Sequence, residues 1–375
     1  MSRATKIFAG LSFLTVSGIL VCTLWPFDFL PPNRVFWLGQ SNGLRLAGRG
    51  VLLTESPLVP SDFQPADGRC SLEVWIKPAR VNSVFTILDV FRPDNHTRFR
   101  LQQYDNGLIV SHNVTAPSGV PVRIKVDVND ALERGKATLV TLTFGKTNTA
   151  VFLDGKHVQT FPGFHVSLRD FAGRLAIGNS AFHLETWPGE IYGVALYSRE
   201  LSADEVLSSF QNWTSGGSIS GDPAEAIGKY TFAERAGDIV HNQSSHGVDL
   251  IIPKRFRVPE HSYMTLPWRE FDASWSYFWD VVRNVVGFMP LGFFLCAWLF
   301  LRGQNRHPIL SAILVGAALS FSVELLQAYI PQRESGITDI ITNTSGTALG
   351  ALLVSSQPMR SLLTRRRSSA ASGNC

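Results

Sequence analysis

The chain lacks the motifs that mark most well-characterised enzyme classes. Its 375 residues contain no Gly-x-Ser-x-Gly nucleophile elbow, no His-Glu-x-x-His zinc motif, no Cys-x-x-Cys pair and no Gly-x-x-x-x-Gly-Lys phosphate loop. The nine histidines are scattered along the chain without pairing. These absences argue against the common hydrolases, metalloproteases, thiol oxidoreductases and nucleotide-binding enzymes, and they favour a role without catalysis.

Cysteine is also scarce, and the four cysteines do not form a disulfide framework. Cys22 and Cys296 lie in apolar runs, Cys375 is the last residue, and Cys70 alone belongs to the long middle part of the chain. We therefore expect that middle part, at about 250 residues, to be stabilised by its own hydrophobic core.

Charge is absent from residues 7–25 and sparse in three later apolar runs, 285–301, 309–330 and 340–356. A helix of about 20 apolar residues crosses a hydrocarbon core about 30 Å thick, so the four runs predict four transmembrane helices and a lipid bilayer as a partner. A cleaved signal peptide is the alternative for the first run. An uncleaved anchor is favoured, because no small-x-small cleavage site follows that run.

The basic residues near these runs predict the topology, because short cytoplasmic segments carry an excess of Lys and Arg. They lie before the first run (Arg3, Lys6), between the second and third (Arg302, Arg306), and after the fourth (Arg360, Arg365, Arg366, Arg367). Both termini are then cytoplasmic in a cell membrane, and residues 28–280 are extracytoplasmic. This topology accounts for the net charge of +4, and no basic stripe with interleaved aromatics indicates a nucleic acid partner.

The middle region has the pattern of an antiparallel β domain. Apolar and polar residues alternate over residues 42–206, with frequent Gly, Pro, Asn and Asp between them. The alternation in residues 71–77 places Leu72, Val74 and Ile76 on one face of a strand, and the other face carries residues 73, 75 and 77 (Glu, Trp and Lys). Residues 154–155, Asp-Gly, favour a two-residue hairpin turn, and residues 202–205, Ser-Ala-Asp-Glu, form a capping box that predicts a short helix.

Five segments carry a family resemblance when they are taken in order. They are Leu-Glu-Val-Trp-Ile-Lys-Pro at 72–78, Val-Phe-Leu-Asp-Gly-Lys at 151–156, Leu-Ala-Ile-Gly at 175–178, Gly-Glu-Ile at 189–191 and Leu-Ser-Ala-Asp-Glu-Val at 201–206. This series resembles the laminin G-like, concanavalin A-like jelly roll. The resemblance implies an all-β sandwich, and members of that superfamily often bind glycans or proteins, sometimes with calcium at the sandwich rim.

Ligand residues in this domain are not sharply indicated. The polar loop residues that could ligate calcium or a sugar are Asp94, Asn95, His96, Asp105 and Asn106, although such residues more commonly form turns. Trp187, if exposed, would stack on a sugar ring; the alternative is that it packs a strand corner beside Pro188. No metal site is assigned.

Residues 228–237 and 242–250 resemble the piece that normally opens a laminin G-like domain, but here they follow its closing helix. Two alternatives stay open: these residues supply a permuted strand to the same sandwich, or they are a degenerate fragment of a second one. The Gly- and Ser-rich residues 215–222 would be the connecting linker.

A second resemblance covers the apolar runs. Its segments lie at residues 25–29 (Trp-Pro-Phe-Asp-Phe), 280–284, 288–292, 320–327, 331–333 and 338–346, followed by Gly350. They are similar to the VanZ-like membrane family. The resemblance implies a mixed fold, in which an extracytoplasmic concanavalin A-like jelly roll is inserted between helices one and two of a four-helix transmembrane unit.

This organisation predicts four parts of the chain. They are residues 1–30 as the first transmembrane helix, 31–265 as the β domain with 215–265 as a permuted extension, 266–358 as transmembrane helices two to four, and 359–375 as a basic cytoplasmic tail.

A polar cluster within the apolar runs is the candidate site. An ionised carboxylate inside a bilayer costs roughly 2.5–3.5 kcal/mol on lenient scales, so it indicates partners or a function. Residues three or four apart share a helix face, and all the cluster residues fall at the extracytoplasmic ends of the predicted helices. The catalytic candidates are Glu324 and Asp339, and the binding candidates are Arg333, Asn284, Gln327 and Asn343. Gly346 and Gly350 form a small-xxx-small pair that permits close helix contact.

Two interpretations of the cluster stay open. In the first, the residues hold the helices together, with Asp339 capping the fourth helix and Arg333 neutralising Glu324. In the second, Glu324, Arg333 and Asp339 line a cavity open to the outer leaflet, where the arginine holds a phosphate or carboxylate.

The VanZ-like resemblance implies a link to glycopeptide resistance, because the founding member is associated with reduced teicoplanin susceptibility, but it implies no reaction. The leading hypothesis is a non-enzymatic envelope protein whose exported domain binds glycan or another cell-wall component, without a cofactor. The rival is an intramembrane enzyme or carrier for a lipid-linked glycan or phosphate. Ion or proton transport is less favoured, because only one charge lies well inside a span.

Overall fold

The computed structural model describes residues 3–60, 67–92, 96–116, 121–215, 226–245, 247–261, 263–359 and 361. The chain divides into two compact units. Met1–Leu30 with Ser262–Cys375 form the membrane unit, and Pro31–His261 form the β domain. Several predictions concern residues outside the described ranges: the loop residues Asp94 and Asn95, the side chain of His96, the linker from 216 onward, and the arginines at 360 and 365–367.

The described part of the β domain contains sixteen strands and one α-helix, α2 (Ala203–Ser215). The strands are β1 (Val35–Trp37), β2 (Leu44–Leu46), β3 (Leu52–Thr54), β4 (Cys70–Pro78), β5 (Val84–Arg92), β6 (His96–Tyr104), β7 (Gly107–Thr115), β8 (Pro121–Val128), β9 (Thr138–Phe144), β10 (Asn148–Leu153), β11 (Lys156–Pro162), β12 (Arg174–Ile177), β13 (Gly189–Tyr197), β14 (Ala226–Tyr230), β15 (Ile239–Val240) and β16 (Leu250–Ile251).

These strands form two antiparallel sheets. The first has the order β1-β2-β13-β4-β9-β10-β11, and the second has the order β15-β16-β3-β12-β5-β6-β7-β8. One edge of β13 is shared: β2 pairs with its residues 189–191, and β14 pairs with its residues 194–197. Residues 226–230 and 250–251 therefore add strands to the same two sheets, the latter through β16 and β3.

The two sheets enclose one hydrophobic core, which draws residues from both of them. Leu72, Val74 and Ile76 are all buried in this core, so the predicted inward face of β4 is confirmed. The predicted hairpin is confirmed too, because Asp154 and Gly155 both have positive φ and join paired strands. An all-β antiparallel sandwich is therefore the fold of this domain.

The capping box at the start of α2 is also confirmed. The backbone N–H of Ser202 donates to the Glu205 carboxylate at 2.7 Å, and the N–H of Glu205 donates to the Ser202 hydroxyl at 3.4 Å. These bonds satisfy N–H groups that the first helical turn leaves without partners.

The membrane unit contains five helices in its described residues. They are α1 (Arg3–Leu24), α3 (Pro267–Glu270), α4 (Trp275–Arg302), α5 (Pro308–Gln327) and α6 (Ile337–Ser355). Three of them, α1, α4 and α5, are long and apolar enough to cross a membrane. Asp339, Asn343 and several hydroxyl side chains make α6 less apolar, so a fourth membrane span stays a prediction.

Helices α4 and α6 pack backbone to backbone through glycine. A Cβ atom added to Gly346 would overlap the Val285 carbonyl, and one added to Gly350 would overlap the Met289 carbonyl. Gly292 of α4 lies in the same way against the backbone of Thr347. The close helix contact predicted from Gly346 and Gly350 is confirmed.

Candidate functional site

Glu324 joins the end of α5 to the start of α6. It is only 1% exposed, and its Oε2 accepts a hydrogen bond from the Gly336 N–H at 3.0 Å. Gly336 precedes α6 and has no side chain to cap the helix. A carboxylate at a helix N-terminus satisfies an otherwise unpaired N–H and interacts favourably with the helix dipole. Glu324 therefore serves as a cap supplied by a neighbouring helix.

Gln327 and Arg333 join the same region to the end of α1. The Gln327 Nε2 donates to the Thr23 carbonyl at 2.9 Å, and the Arg333 Nη2 donates to the Cys22 and Trp25 carbonyls, each at 3.1 Å. The last carbonyls of a helix have no partner within the helix, and a cation is favourable there. These bonds connect residues more than 300 positions apart in the sequence.

The two asparagines connect the remaining helices. The Asn284 Nδ2 in α4 donates to the Asp339 Oδ1 in α6 at 2.7 Å. The Asn343 Nδ2 in α6 donates to the Ser320 Oγ in α5 at 3.0 Å. A hydrogen bond between membrane helices contributes about 0.6 kcal/mol to stability on average. The stabilising effect here therefore comes from the sum of several such bonds.

All six predicted residues lie in the membrane unit. They do not form one connected site, because their hydrogen bonds are separate contacts between different helices. Arg333 donates to backbone carbonyls, and among the described residues no ion pair connects it to Glu324. Arg333 therefore does not neutralise Glu324 as expected. Glu324 instead caps the N-terminus of α6, and Arg333 caps the C-terminus of α1.

A cleft of about 370 Å³ opens beside Asn284 and Asp339. Glu324 and Arg333 are not in its lining, which is mostly acidic and polar: Glu270, Tyr277, Asp280, Val281, Arg283, Asn284, Glu334, Ser335, Gly336, Thr338 and Asp339. The one arginine in the lining, Arg283, pairs with Asp280 at 2.7 Å. Four carboxylates against one paired arginine make this cleft poorly suited to a phosphate or carboxylate.

Glu270 also lines this cleft, although no pattern in the sequence indicates it. Its carboxylate packs on the Cα of Gly336, because a parallel bridge pairs Thr265 with Gly336. The Thr265 N–H donates to the Ser335 carbonyl at 3.1 Å, and the Ile337 N–H donates to the Thr265 carbonyl at 3.0 Å. This pairing spans about 70 residues of sequence and has no local pattern that would predict it.

The polar loop residues of the β domain form a turn. Asp105 and Asn106 connect β6 to β7, with Asp105 at a positive φ, and the Asn106 amide donates to Asp130 at 2.7 Å. Over the described ranges, no three His, Cys, Asp or Glu side chains are placed to hold a metal ion.

Trp187 is fully buried, so the interpretation of an exposed stacking residue is wrong. Its Nε1 donates to the Gln103 Oε1 at 2.8 Å, and its ring packs against the Cα of Gly189. A buried tryptophan usually finds such a partner for its N–H group. The alternative, in which Trp187 packs a strand corner, is confirmed.

Glu73, on the face of β4 opposite Leu72, is a buried carboxylate. It is fully covered by α2, and its Oε2 accepts hydrogen bonds from Tyr197, Ser209 and Trp213 at 3.1, 2.9 and 3.0 Å. Burial raises the pKa of Glu73 above its ordinary value, although these donors act in the opposite direction. This cluster attaches α2 to the sheet.

Two family models match the chain. The VanZ/LLP1 model matches residues 226–359, and the model of the concanavalin A-like lectin/glucanases superfamily, laminin G type, matches residues 51–207. These two matches support a VanZ-like protein with an inserted laminin G-like domain. The VanZ/LLP1 match begins at the first residue of β14, inside the β domain.

The chain is also similar to several solved structures. The receptor-binding domain of botulinum neurotoxin D is 13% identical over 48% of this chain and 46% of that chain, with a TM-score of 0.35. The CBM40 domain of a Ruminococcus gnavus sialidase, bound to α2,3-sialyllactose, is 14% identical over 44% and 95%, with a TM-score of 0.34. A Limulus polyphemus SAP-like pentraxin is 16% identical over 60% and 93%, with a TM-score of 0.35. No curated protein matches the chain.

Proposed function

We propose that this protein is a non-enzymatic, multi-pass envelope protein whose β domain binds glycan or another envelope component outside the cell. The membrane unit anchors the β domain. The proposal is carried by the structural role of the polar cluster. Each of the six predicted residues forms a hydrogen bond that connects different helices, or a helix end to the loop beside it.

The membrane unit is built from both ends of the sequence, which supports an anchoring role. Gln327 and Arg333 bond to the end of α1, so α1 packs with helices that follow the β domain in sequence. The β domain is an insertion between α1 and α4, and the distribution of Lys and Arg favours an extracytoplasmic position for it.

Exposed aromatic side chains lie just after α1, in α3 and after it, in the first turns of α4 and just after α5, close in sequence to the residues of the polar cluster. They are Trp25, Phe27, Trp268, Phe271, Trp275, Phe278, Trp279 and Tyr329. Trp and Tyr are enriched where membrane proteins cross the boundary between lipid and water. This aromatic belt supports a position of the cluster at the head-group level, with α1, α4 and α5 spanning the lipid.

The binding role of the β domain is supported by its superfamily, which includes lectins. An intramembrane enzyme or carrier needs Glu324, Arg333 and Asp339 to line one cavity. Asp339 lines the acidic cleft, whereas Glu324 and Arg333 are used as helix caps. The arrangement therefore supports the anchoring role better, and a link to glycopeptide resistance would follow from envelope binding.

The substitutions Gln327→Ala and Arg333→Ala distinguish the anchoring role from an intramembrane enzyme or carrier, because they affect the amount of folded protein in the first case. Each removes a bond between α1 and the rest of the unit, so we expect lower membrane abundance, with Arg333→Ala the stronger because a bond from a charged group contributes about 1.5–3 kcal/mol. The measurement is an immunoblot of membranes, combined with complementation of glycopeptide susceptibility in a deletion strain.

Gln332→Ala is the matched control, because this neighbour of Arg333 is exposed. We expect normal abundance and a normal phenotype for it, and a phenotype that falls with abundance for the other two. Full abundance with a lost phenotype in Arg333→Ala or Glu324→Gln would favour the intramembrane enzyme or carrier instead.

A further inference from the structure

A second cleft, of about 580 Å³, lies on the β domain. Its walls come from β2, from the end of β4 and from the start of β13, together with the loops around residues 78–80 and 186–188. This volume falls within the range of about 300–1,000 Å³ that is usual for small-molecule sites.

The backbone around this cleft is held in place by hydrogen bonds between its loops. The Ala79 N–H donates to the Pro188 carbonyl at 3.0 Å, and the Gly135 N–H donates to the Pro78 carbonyl at 2.8 Å. Because these bonds are made within the domain itself, the cleft is preformed, and a ligand does not have to order it.

One row of charges crosses three neighbouring strands at the cleft. Glu190 on β13 is the register partner of both Arg45 on β2 and Lys77 on β4, and it pairs with them at 2.8 and 3.2 Å. Burial alone would raise the pKa of Glu190, but hydrogen bonds from Tyr192, Arg45 and Lys77 hold it below its ordinary value. Glu190 is thus an anion already shared by two cations.

Two further cations line the cleft and have no such partner. Arg34 and Arg80 are exposed, and within the described ranges no carboxylate pairs with either side chain. Guanidinium groups bind carboxylates and phosphates through paired N–H donors. Phe85, half-buried in the same lining, adds an apolar surface of the kind that packs against a sugar ring.

We propose that this cleft binds acidic envelope polysaccharide through its carboxylate or phosphate groups, with Arg34 and Arg80 as the anion ligands and Phe85 against a sugar ring. The inference rests on the proposed function, and it names the ligand class and the binding site. The cleft carries four cations and one carboxylate, so an acidic chain matches its charge and a neutral chain does not.

The test uses the full-length protein in detergent and three oligosaccharides of matched length: hexagalacturonate for carboxylate, phosphorylated maltohexaose for phosphate, and maltohexaose as the neutral probe. The double variant Arg34→Gln/Arg80→Gln should weaken binding of the acidic probes by about tenfold per guanidinium lost. The control Arg169→Gln/Lys156→Gln removes the same charge from exposed positions outside the cleft, so it should leave affinity within about twofold.

Glu190→Gln provides a second variant with the opposite expectation. It removes the carboxylate that occupies Arg45 and Lys77, so affinity for the acidic probes should rise several-fold while maltohexaose is unaffected. Tighter binding of hexagalacturonate than of the phosphorylated probe would identify carboxylate as the recognised group, and the reverse order would identify phosphate.

The inference is overturned if maltohexaose binds as well as the acidic probes, or if the cleft variants behave like the control pair. In both cases saccharide binding by the protein, and with it the proposed function, still stands. Absence of binding to all three probes also overturns the inference, and native envelope polysaccharide then tests the proposed function separately.

Discussion

Substitution of Gly350 by alanine is expected to lower the thermal stability of the membrane unit, whereas the same change at Gly287 is expected to leave it unchanged or raise it. The added methyl at Gly350 would overlap the Met289 carbonyl, so α4 and α6 must separate. Overpacking of this kind typically costs about 1–3 kcal/mol. At Gly287 no atom lies within 4 Å of the added carbon, and alanine gains about 0.5–1 kcal/mol in helix propensity.

The two variants share the chemical change and the helical context, so they isolate the packing effect. The measurement is the temperature at which detergent-solubilised protein loses its monodisperse peak in size-exclusion chromatography. We expect this temperature to fall for Gly350→Ala and also for Gly346→Ala, which meets Val285 in the same way. Equal stability of Gly350→Ala and Gly287→Ala would contradict the backbone contact between α4 and α6.

The second large effect concerns Glu73 in the β domain. Glu73→Ala leaves Tyr197, Ser209 and Trp213 without their shared acceptor beneath α2. A buried donor without a partner costs about 1–3 kcal/mol, so we expect a total loss of at least about 3 kcal/mol. Glu73→Gln keeps the shape and one acceptor oxygen and should lose less.

Circular dichroism of the β-sheet signal during heating measures this loss. Glu133→Ala is the control, because its side chain is 73% exposed and should change stability by less than about 0.5 kcal/mol. Glu73→Ala protein that melts like the Glu133→Ala control would show that α2 does not depend on this carboxylate.

The pH dependence of the same site has a definite sign. Burial raises the folded-state pKa of Glu73 above its ordinary value of 4.5, so the folded protein binds this proton more tightly than the unfolded chain does. The resulting stability is present below pH 4.5 and is lost as pH rises through the raised folded-state pKa. Wild type should therefore lose stability relative to Glu73→Gln over that interval, and a constant difference would contradict the raised pKa.

Features with a regular period or a local turn signal could be predicted from the sequence. The alternation around Leu72 and Val74 placed β4, the Asp154-Gly155 turn placed a hairpin, and the small-residue spacing of Gly346 and Gly350 placed a helix contact. Each of these signals is carried by residues within a few positions of one another. Local periodicity is therefore enough to find them.

The exact partners in the candidate site could not be predicted. The residue types at Glu324, Gln327 and Arg333 indicated a polar cluster, but their partners are the backbone groups of Gly336, Thr23 and residues 22 and 25. Every residue carries such backbone groups, so sequence contains no signal that selects among them.

Burial of individual side chains could not be predicted from the sequence either. The sequence left two alternatives open for Trp187: an exposed ring that stacks on a sugar, or a ring that packs a strand corner beside Pro188. The bulk of its ring fills a strand corner, and Gln103, 84 positions away, provides its hydrogen-bond acceptor. Glu73 alternates with apolar neighbours and lies on the other face of β4, and α2 covers that face of the sheet.

Binding of the full-length protein, reconstituted in lipid nanodiscs, to polysaccharide isolated from the host envelope tests the central claim most directly. The account predicts saturable binding that empty nanodiscs lack and that Asp339→Asn retains, because an asparagine oxygen can still accept the bond from Asn284. Absence of saturable binding, or its loss in well-folded Asp339→Asn protein, would contradict an anchored β domain that binds the envelope.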